Sequence, residues 1–140
     1  MSNPRRSRAR EIALQVLYQV DLNPHATAAD LERFIRGRLH GGAVVPFALQ
    51  LVRGVDSRRA ELDAFLDARA ANWRVARMAA TDRGILRLAT FEILHTDTPG
   101  AVAADEAIEL AKRYGGEASP GFVAGILGRI LAEKSGTATP

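Results

Sequence analysis

The chain has 140 residues, 47% of them hydrophobic and 25% charged, and no cysteine. Such a chain is long enough to bury a core without disulfide or metal support, and it has no disulfide framework, thiolate metal site or thiol nucleophile. The formal net charge of +3 is unevenly placed: Arg5, Arg6, Arg8 and Arg10 stand in the first ten residues, which hold no acid, and without them the basic residues fall one short of the acids.

No apolar run reaches the roughly 20 residues that span a bilayer. The basic N-terminus resembles that of a signal peptide, but Gln15 and Gln19 interrupt the apolar stretch that would have to follow it. The chain therefore reads as soluble, not exported and, with no cysteine, cytoplasmic.

Alternating β-branched runs are absent and Ala, Leu and Arg abound, so helix is expected throughout. The first helix begins between positions 4 and 8 and runs to about 22, with Ala9, Ile12, Ala13, Val16, Leu17 and Val20 on one face. Asn23-Pro24 ends it, since a residue before proline is pushed out of the helical region. A second helix runs from Thr27, its cap, to about Leu39, with Leu31, Phe34 and Ile35 inward. Gly41-Gly42 breaks the chain.

A long helix is predicted over residues 46–70, with a bend at Gly54 or Asp56-Ser57. Residues 72–78 fit either a short helix or a turn. A helix over 81–95 would be capped by Thr81, with Ile85, Leu86, Ala89 and Ile93 inward. Pro99-Gly100 opens a loop before a helix over 102–114, which Gly115-Gly116 stops in left-handed geometry. Ser119 caps the last helix ahead of Pro120, and Phe122/Val123, Ile126/Leu127 and Ile130/Leu131 are its apolar pairs. The fold class is all-α, a compact bundle of six or seven helices over residues 1–134, with a disordered tail over 135–140.

On the first helix Arg6 and Arg10 stand four apart and Arg5 and Arg8 three apart. Like charges so placed repel by a few tenths of a kcal/mol per pair, which an anionic partner would offset. Arginine suits phosphate and unpaired bases, because its planar fork takes a phosphate bidentately and stacks on rings. Glu11 is not expected to cancel the patch. The alternatives are a solvated tail, or a membrane-surface helix that would need a broad exposed apolar face.

Arg8-Ala9-Arg10-Glu11 followed by Ala13-Leu14-Gln15-Val16-Leu17-Tyr18-Gln19 resembles the opening of the NusB family. Asp82-Arg83-Gly84-Ile85-Leu86-Arg87-Leu88-Ala89-Thr90-Phe91-Glu92-Ile93-Leu94 is similar to its central helix. Glu106-Ala107-Ile108-Glu109-Leu110-Ala111-Lys112-Arg113-Tyr114-Gly115 and Phe122-Val123-Ala124-Gly125-Ile126-Leu127 are similar to its C-terminal signature. The blocks span essentially the whole chain in order.

The resemblance implies a fold of two helical subdomains. It implies a transcription antitermination factor that binds boxA-type single-stranded RNA of ribosomal RNA transcripts together with NusE, a small-subunit ribosomal protein. The RNA site it implies comprises Arg5, Arg6, Arg8, Arg10, Tyr18, Ser119 and Phe122. Those positions suit the role: Ser119 stands at a helix start, where free N–H groups favour an anion, and Tyr18 could stack a base. Tyr18 and Phe122 equally suit core or boundary aromatics, and Ser119 a plain cap. Ala124 stands where the family's Phe-Val-Asn-Gly motif carries asparagine, Ala104-Asp105 replaces the commoner Ile-Asn, and Pro120-Gly121 fills a turn that is often more polar.

No catalytic set is legible. His25, His40 and His95 form no i, i+4 pair, so no metal site or cofactor is expected. Asp105, Glu106 and Glu109 read as acids near a helix front, favoured by its dipole. Gly121, Gly125 and Gly128 lack the strand and lysine of a phosphate loop and read as a close-packing face. Arg83 and Arg87 either extend the basic face or pair with Asp82 and Glu92. One alternative function is a protein-interaction module akin to the domain at the front of certain ribosomal-RNA cytosine methyltransferases, with no activity of its own. Another is a pure protein scaffold. The oligomeric state stays open, a homodimer included.

Overall fold

The first helix starts where its local chemistry dictates. The Asn3 side chain accepts from the Arg5 N–H at 2.9 Å, and Pro4 supplies the fixed φ of a first helical residue. In the computed structural model, which describes residues 3–70 and 72–136, α1 spans Pro4–Leu22. It is followed by α2 (Ala28–Arg38), α3 (Val44–Ser57), α4 (Arg59–Asp67), a 3-10 turn (Val75–Arg77), α5 (Ala80–His95), α6 (Gly100–Tyr114) and α7 (Ser119–Lys134). No strand occurs among the described residues, and none of their helices is long and apolar enough to cross a membrane.

Two helical groups share one axis. α1 packs on α2 and α3, α6 packs on α7, and α5 touches α1, α3, α4, α6 and α7. Every residue of α5 from Gly84 to Ile93 is buried, as its central place requires. Thr27 caps α2 in a reciprocal box: its hydroxyl accepts from the Asp30 N–H and its own N–H donates to the Asp30 carboxylate.

Several local expectations give way to tertiary context. The long helix over 46–70 is two helices, broken at Arg58. Gly54 does not bend the chain. The buried Phe91 ring lies so close that a Cβ on Gly54 would meet its Cζ at 2.0 Å. Gly54→Ala should therefore cost about 1–3 kcal/mol through overpacking, more than the roughly 1 kcal/mol that alanine gains in a helix. Urea unfolding would show this, and a stabilised Gly54→Ala variant would refute it.

Thr81 lies inside α5 and caps nothing; Ala79 precedes the helix. Gly115 (φ −91°) is not left-handed; among the described glycines positive φ belongs to Gly41 and Gly136. Gly115 is needed for a close approach instead, since a Cβ there would lie 2.5 Å from the Ser119 Cβ. Ser119 is the first residue of α7 rather than its cap, and its Oγ accepts from the Gly116 N–H at 2.9 Å. Gly121, Gly125 and Gly128 are exposed with nothing within 4 Å of their missing side chains, so they are no packing face within the chain. Of the expected tail, residues 137–140 lie outside the described residues, while the Ser135 and Gly136 N–H groups bond the Leu131 and Glu133 carbonyls.

Candidate nucleic-acid interface

The four N-terminal arginines separate into three environments. Arg5 and Arg6 are exposed and have no ion-pair partner among the described residues; the Arg6 guanidinium lies 4.2 Å from the Phe47 ring centre. Arg8 is exposed but bonded to Glu11. Arg10 departs from expectation: it is only 3% exposed, and its guanidinium is engaged by acids. Its Nε donates to both carboxylate oxygens of the buried Glu92 at 2.9 and 3.0 Å, and its Nη1 to Glu106 at 3.0 Å, while the Ser7 hydroxyl also donates to Glu106. The cause is helical phase, since Arg10 shares the inward stripe of Ala13, Leu14 and Leu17.

That cluster also corrects the reading of the acids on α6. The helix begins at Gly100, so Asp105, Glu106 and Glu109 lie beyond its first turn; Glu106 serves Arg10 and Glu109 pairs with Lys112 at 3.3 Å. Arg83 and Arg87 neither extend a basic face nor pair with Asp82 and Glu92. Arg83 holds Asp21 at 2.6 Å, and Arg87 holds Asp63 at 2.7 Å and Asp21 at 3.5 Å.

Glu11 does offset part of the basic patch. It is buried and bonded by Arg8 and by Arg113 of α6. Burial pushes its carboxyl pKa up, but hydrogen bonds from the Tyr114 hydroxyl, Arg113 and Arg8 outweigh that and hold it below its ordinary value of 4.5. A depressed folded-state pKa means stability present above the unfolded value and lost as pH falls through the folded one. The stability difference between wild type and Glu11→Gln should therefore be steady near pH 7 and shrink below about pH 4.5. Urea midpoints against pH would check it, and a difference independent of pH would contradict it.

Two grooves flank the first turn of α5. One, of about 360 Å3, is lined by Leu14, Gln15, Tyr18, Phe34, Arg38, Thr81 and Tyr114. Tyr18 and Tyr114 are each 40% exposed, and the Arg38 guanidinium, with no acid partner among the described residues, lies 3.6 Å from the Phe34 ring centre. The other, of about 580 Å3, is lined by Trp73, Arg77, Asp82, Gly116, Ser119 and Phe122. Thr81 and Tyr114 belong to the first groove and Asp82 and Gly116 to the second, so the two adjoin at the start of α5 and the α6–α7 turn. Arg113 and Glu11 tie the first groove to the Arg8 end of α1.

Of the expected site residues, Arg5, Arg6, Arg8 and Tyr18 stand on the surface, Phe122 is half-buried on a groove wall, and Ser119 is buried at its edge with its hydroxyl engaged by Gly116. Sequence reasoning missed Trp73, Arg77, Arg38 and Tyr114. The signal for Trp73 was its place in a polar run, Asn72-Trp73-Arg74, where no apolar periodicity offers a large ring a burial site. Among the described residues no group of three or more His, Asp or Glu is placed to hold a metal ion.

Comparison with known proteins bears on the whole chain. The NusB family model matches residues 7–132. The transcription antitermination protein NusB of Anaeromyxobacter dehalogenans is 46% identical over 129 residues, 91% of each chain. That of Rubrobacter xylanophilus is 46% identical over 124 residues, covering 87% of this chain and 86% of its own. The structure of T. maritima NusB superposes with a TM-score of 0.82 at 36% identity, over 95% of this chain and 94% of its own. A crystal structure of antitermination factors NusB and NusE in complex with dsRNA has a TM-score of 0.84 at 22% identity, over 94% and 99% of the two chains, which shows a shared fold.

Proposed function

The chain belongs to the NusB family, and on that premise we propose that it acts in the cytoplasm as a transcription antitermination factor, binding boxA-type single-stranded RNA of ribosomal RNA transcripts together with NusE. It is a binding factor, not an enzyme, as the named relatives are antitermination proteins. The observation that carries the reading is the pair of adjoining grooves that expose Tyr18 and Tyr114 on one and Trp73 and Phe122 on the other, together with the exposed Arg5 and Arg6, which have no ion-pair partner among the described residues.

Cations and rings do different work there. Arginines neutralise phosphates and release counterions, which supplies affinity without sequence information. Exposed aromatic rings stack unpaired bases, whose faces a duplex hides. At the start of α7 the Ser119 and Phe122 N–H groups are bonded to the Gly116 and Ala118 carbonyls and Pro120 has none, so phosphate binding rests on the arginines rather than on that helix start. The Tyr18–Tyr114 groove opens beside Arg38, so a cation stands next to its rings.

The test is equilibrium binding of a fluorescent boxA-type RNA from 50 to 200 mM salt, with and without NusE. Tighter binding with NusE, and a linear fall of log affinity with log salt, are expected. Binding that ignores salt, or that is absent even with NusE, would overturn the proposal.

A further inference from the structure

We propose that Glu11 is a positioning residue for RNA: by holding Arg8 of α1 and Arg113 and Tyr114 of α6 to one carboxylate, it sets Arg113 as a further phosphate contact; this rests on the RNA-binding reading above. An acid inside a basic patch ordinarily weakens binding to a polyanion. The geometry gives this acid the opposite effect.

The Glu11 carboxylate is shared between two helices. Arg8 Nη1 donates to one of its oxygens, Arg113 Nη1 to the other, and the Tyr114 hydroxyl bonds the same group. The Glu11 side chain is 8% exposed, whereas those of Arg8 and Arg113 are 53% and 65% exposed. An enclosed acid therefore anchors cations that are themselves open to solvent. A guanidinium carries five N–H donors, so each fork keeps donors for a phosphate after Glu11 has taken its share.

The neighbouring acids are committed elsewhere. Glu106 serves Arg10 and Ser7, and Glu109 pairs with Lys112, so among the described residues Glu11 alone fixes Arg113. Tyr114, the next residue, lines the groove that also exposes Tyr18. Burial, and after it the bond to Glu11, push the Tyr114 phenol above its ordinary value of 10.0, so the hydroxyl stays protonated and donates to the carboxylate.

Positioning acts in two ways. An exposed arginine loses rotamer freedom when it takes a phosphate, and one already held on Glu11 has lost part of it before RNA arrives. Two forks on one carboxylate also stand side by side without the repulsion of bare guanidinium groups, and two positive charges against one negative leave the trio cationic. Glutamine at position 11 would keep one accepting oxygen and put a donor in place of the other, so it would release Arg113 or Arg8.

The experiment measures anisotropy of a fluorescent boxA-type RNA with the full chain and NusE from 50 to 200 mM salt, for wild type, Glu11→Gln, Arg113→Ala and the double variant, each checked for folding by circular dichroism. Although it removes a negative charge, Glu11→Gln should weaken binding about 8-fold at 50 mM salt and about 3-fold at 200 mM, the counterion-release contribution of one single-strand phosphate contact. Its salt slope should be shallower by about 0.7. Arg113→Ala should show the same loss, and adding it to Glu11→Gln should change affinity by less than about twofold, because both variants remove one contact.

A Glu11→Gln variant that binds as tightly as wild type or tighter overturns the proposal, since the acid would then only oppose RNA. A weaker Glu11→Gln with an unchanged slope, or losses that add in the double variant, makes Glu11 a structural ion pair and nothing more. Should Glu11→Gln fail to fold, the exposed Arg113 still decides: Arg113→Ala with wild-type affinity and slope overturns the proposal. Failure of wild type to bind the RNA at all counts instead against the RNA reading on which the positioning rests.

Discussion

Arg10→Ala is expected to lower the unfolding free energy by about 3–5 kcal/mol, the usual consequence of removing one partner from a buried ion pair. At about 3–4 °C per kcal/mol for a domain of this size, the melting temperature would fall by roughly 10–20 °C. Three facts make the loss large. Arg10 is almost wholly enclosed, Glu92 is 1% exposed and Glu106 8%. One guanidinium serves both acids, so removing it strands two negative charges from two different helices. The Ser7 hydroxyl remains as a single neutral donor to Glu106.

The same physics predicts a non-additive series. Desolvating three charges is expensive, and replacing all of them with apolar groups of similar size is often neutral. The triple variant Arg10→Met, Glu92→Met, Glu106→Met should therefore be more stable than Arg10→Ala alone, and Arg10→Lys, with one ammonium for two carboxylates, should fall between wild type and alanine. An Arg10→Ala cost below about 1 kcal/mol, or a triple variant worse than the single one, would show that the cluster does not hold α1 to α5 and α6.

How much of this was legible in the sequence depends on the range of the interaction. α1 and the α2 capping box rest on contacts within four residues, so spacing alone places them. The inward position of Arg10 is also visible in phase, on the stripe of Ala13 and Leu17, but the charge alone points to the surface. What rescued it from exposure is Glu92 and Glu106, far along the chain, which no local pattern pairs with it. Gly54 is a parallel case: its sequence context suggests a bend, and its reason is a ring on α5. Thr81 and Ser119 have capping side chains, yet each helix starts at or before them, because tertiary packing sets the start.

The candidate site was legible in part for a related reason. The arginine cluster is a property of composition along ten residues. The grooves join residues from α1, α2, α5 and α6 in one case and from the 3-10 turn, α5 and α7 in the other, so only the fold brings them together. Trp73 precedes, and Arg77 ends, a 3-10 turn whose sequence has no periodicity to mark which side chains remain outside.

Replacing Arg5, Arg6 and Arg8 together with alanine should cut RNA affinity and flatten its salt dependence, leaving stability near wild type. Each phosphate neutralised on a single strand contributes about 0.7 to the slope of log affinity against log salt. Three lost contacts should therefore lower the slope by about 2, so between 50 and 200 mM salt wild type should lose roughly 20-fold more affinity than the variant. Arg10 is left in place because its guanidinium is enclosed and committed to carboxylates, and removing it would confound binding with folding. Arg8 is expected to contribute least of the three, since Glu11 already engages it. Among the described residues Arg5 and Arg6 have no acid to leave before meeting a phosphate, although Arg6 would exchange its place over Phe47. Reduced affinity with an unchanged slope would mean that these arginines act through bases or through shape. An unchanged affinity and slope would leave them a solvated face, and the cationic end of the proposed surface would have no role in holding RNA.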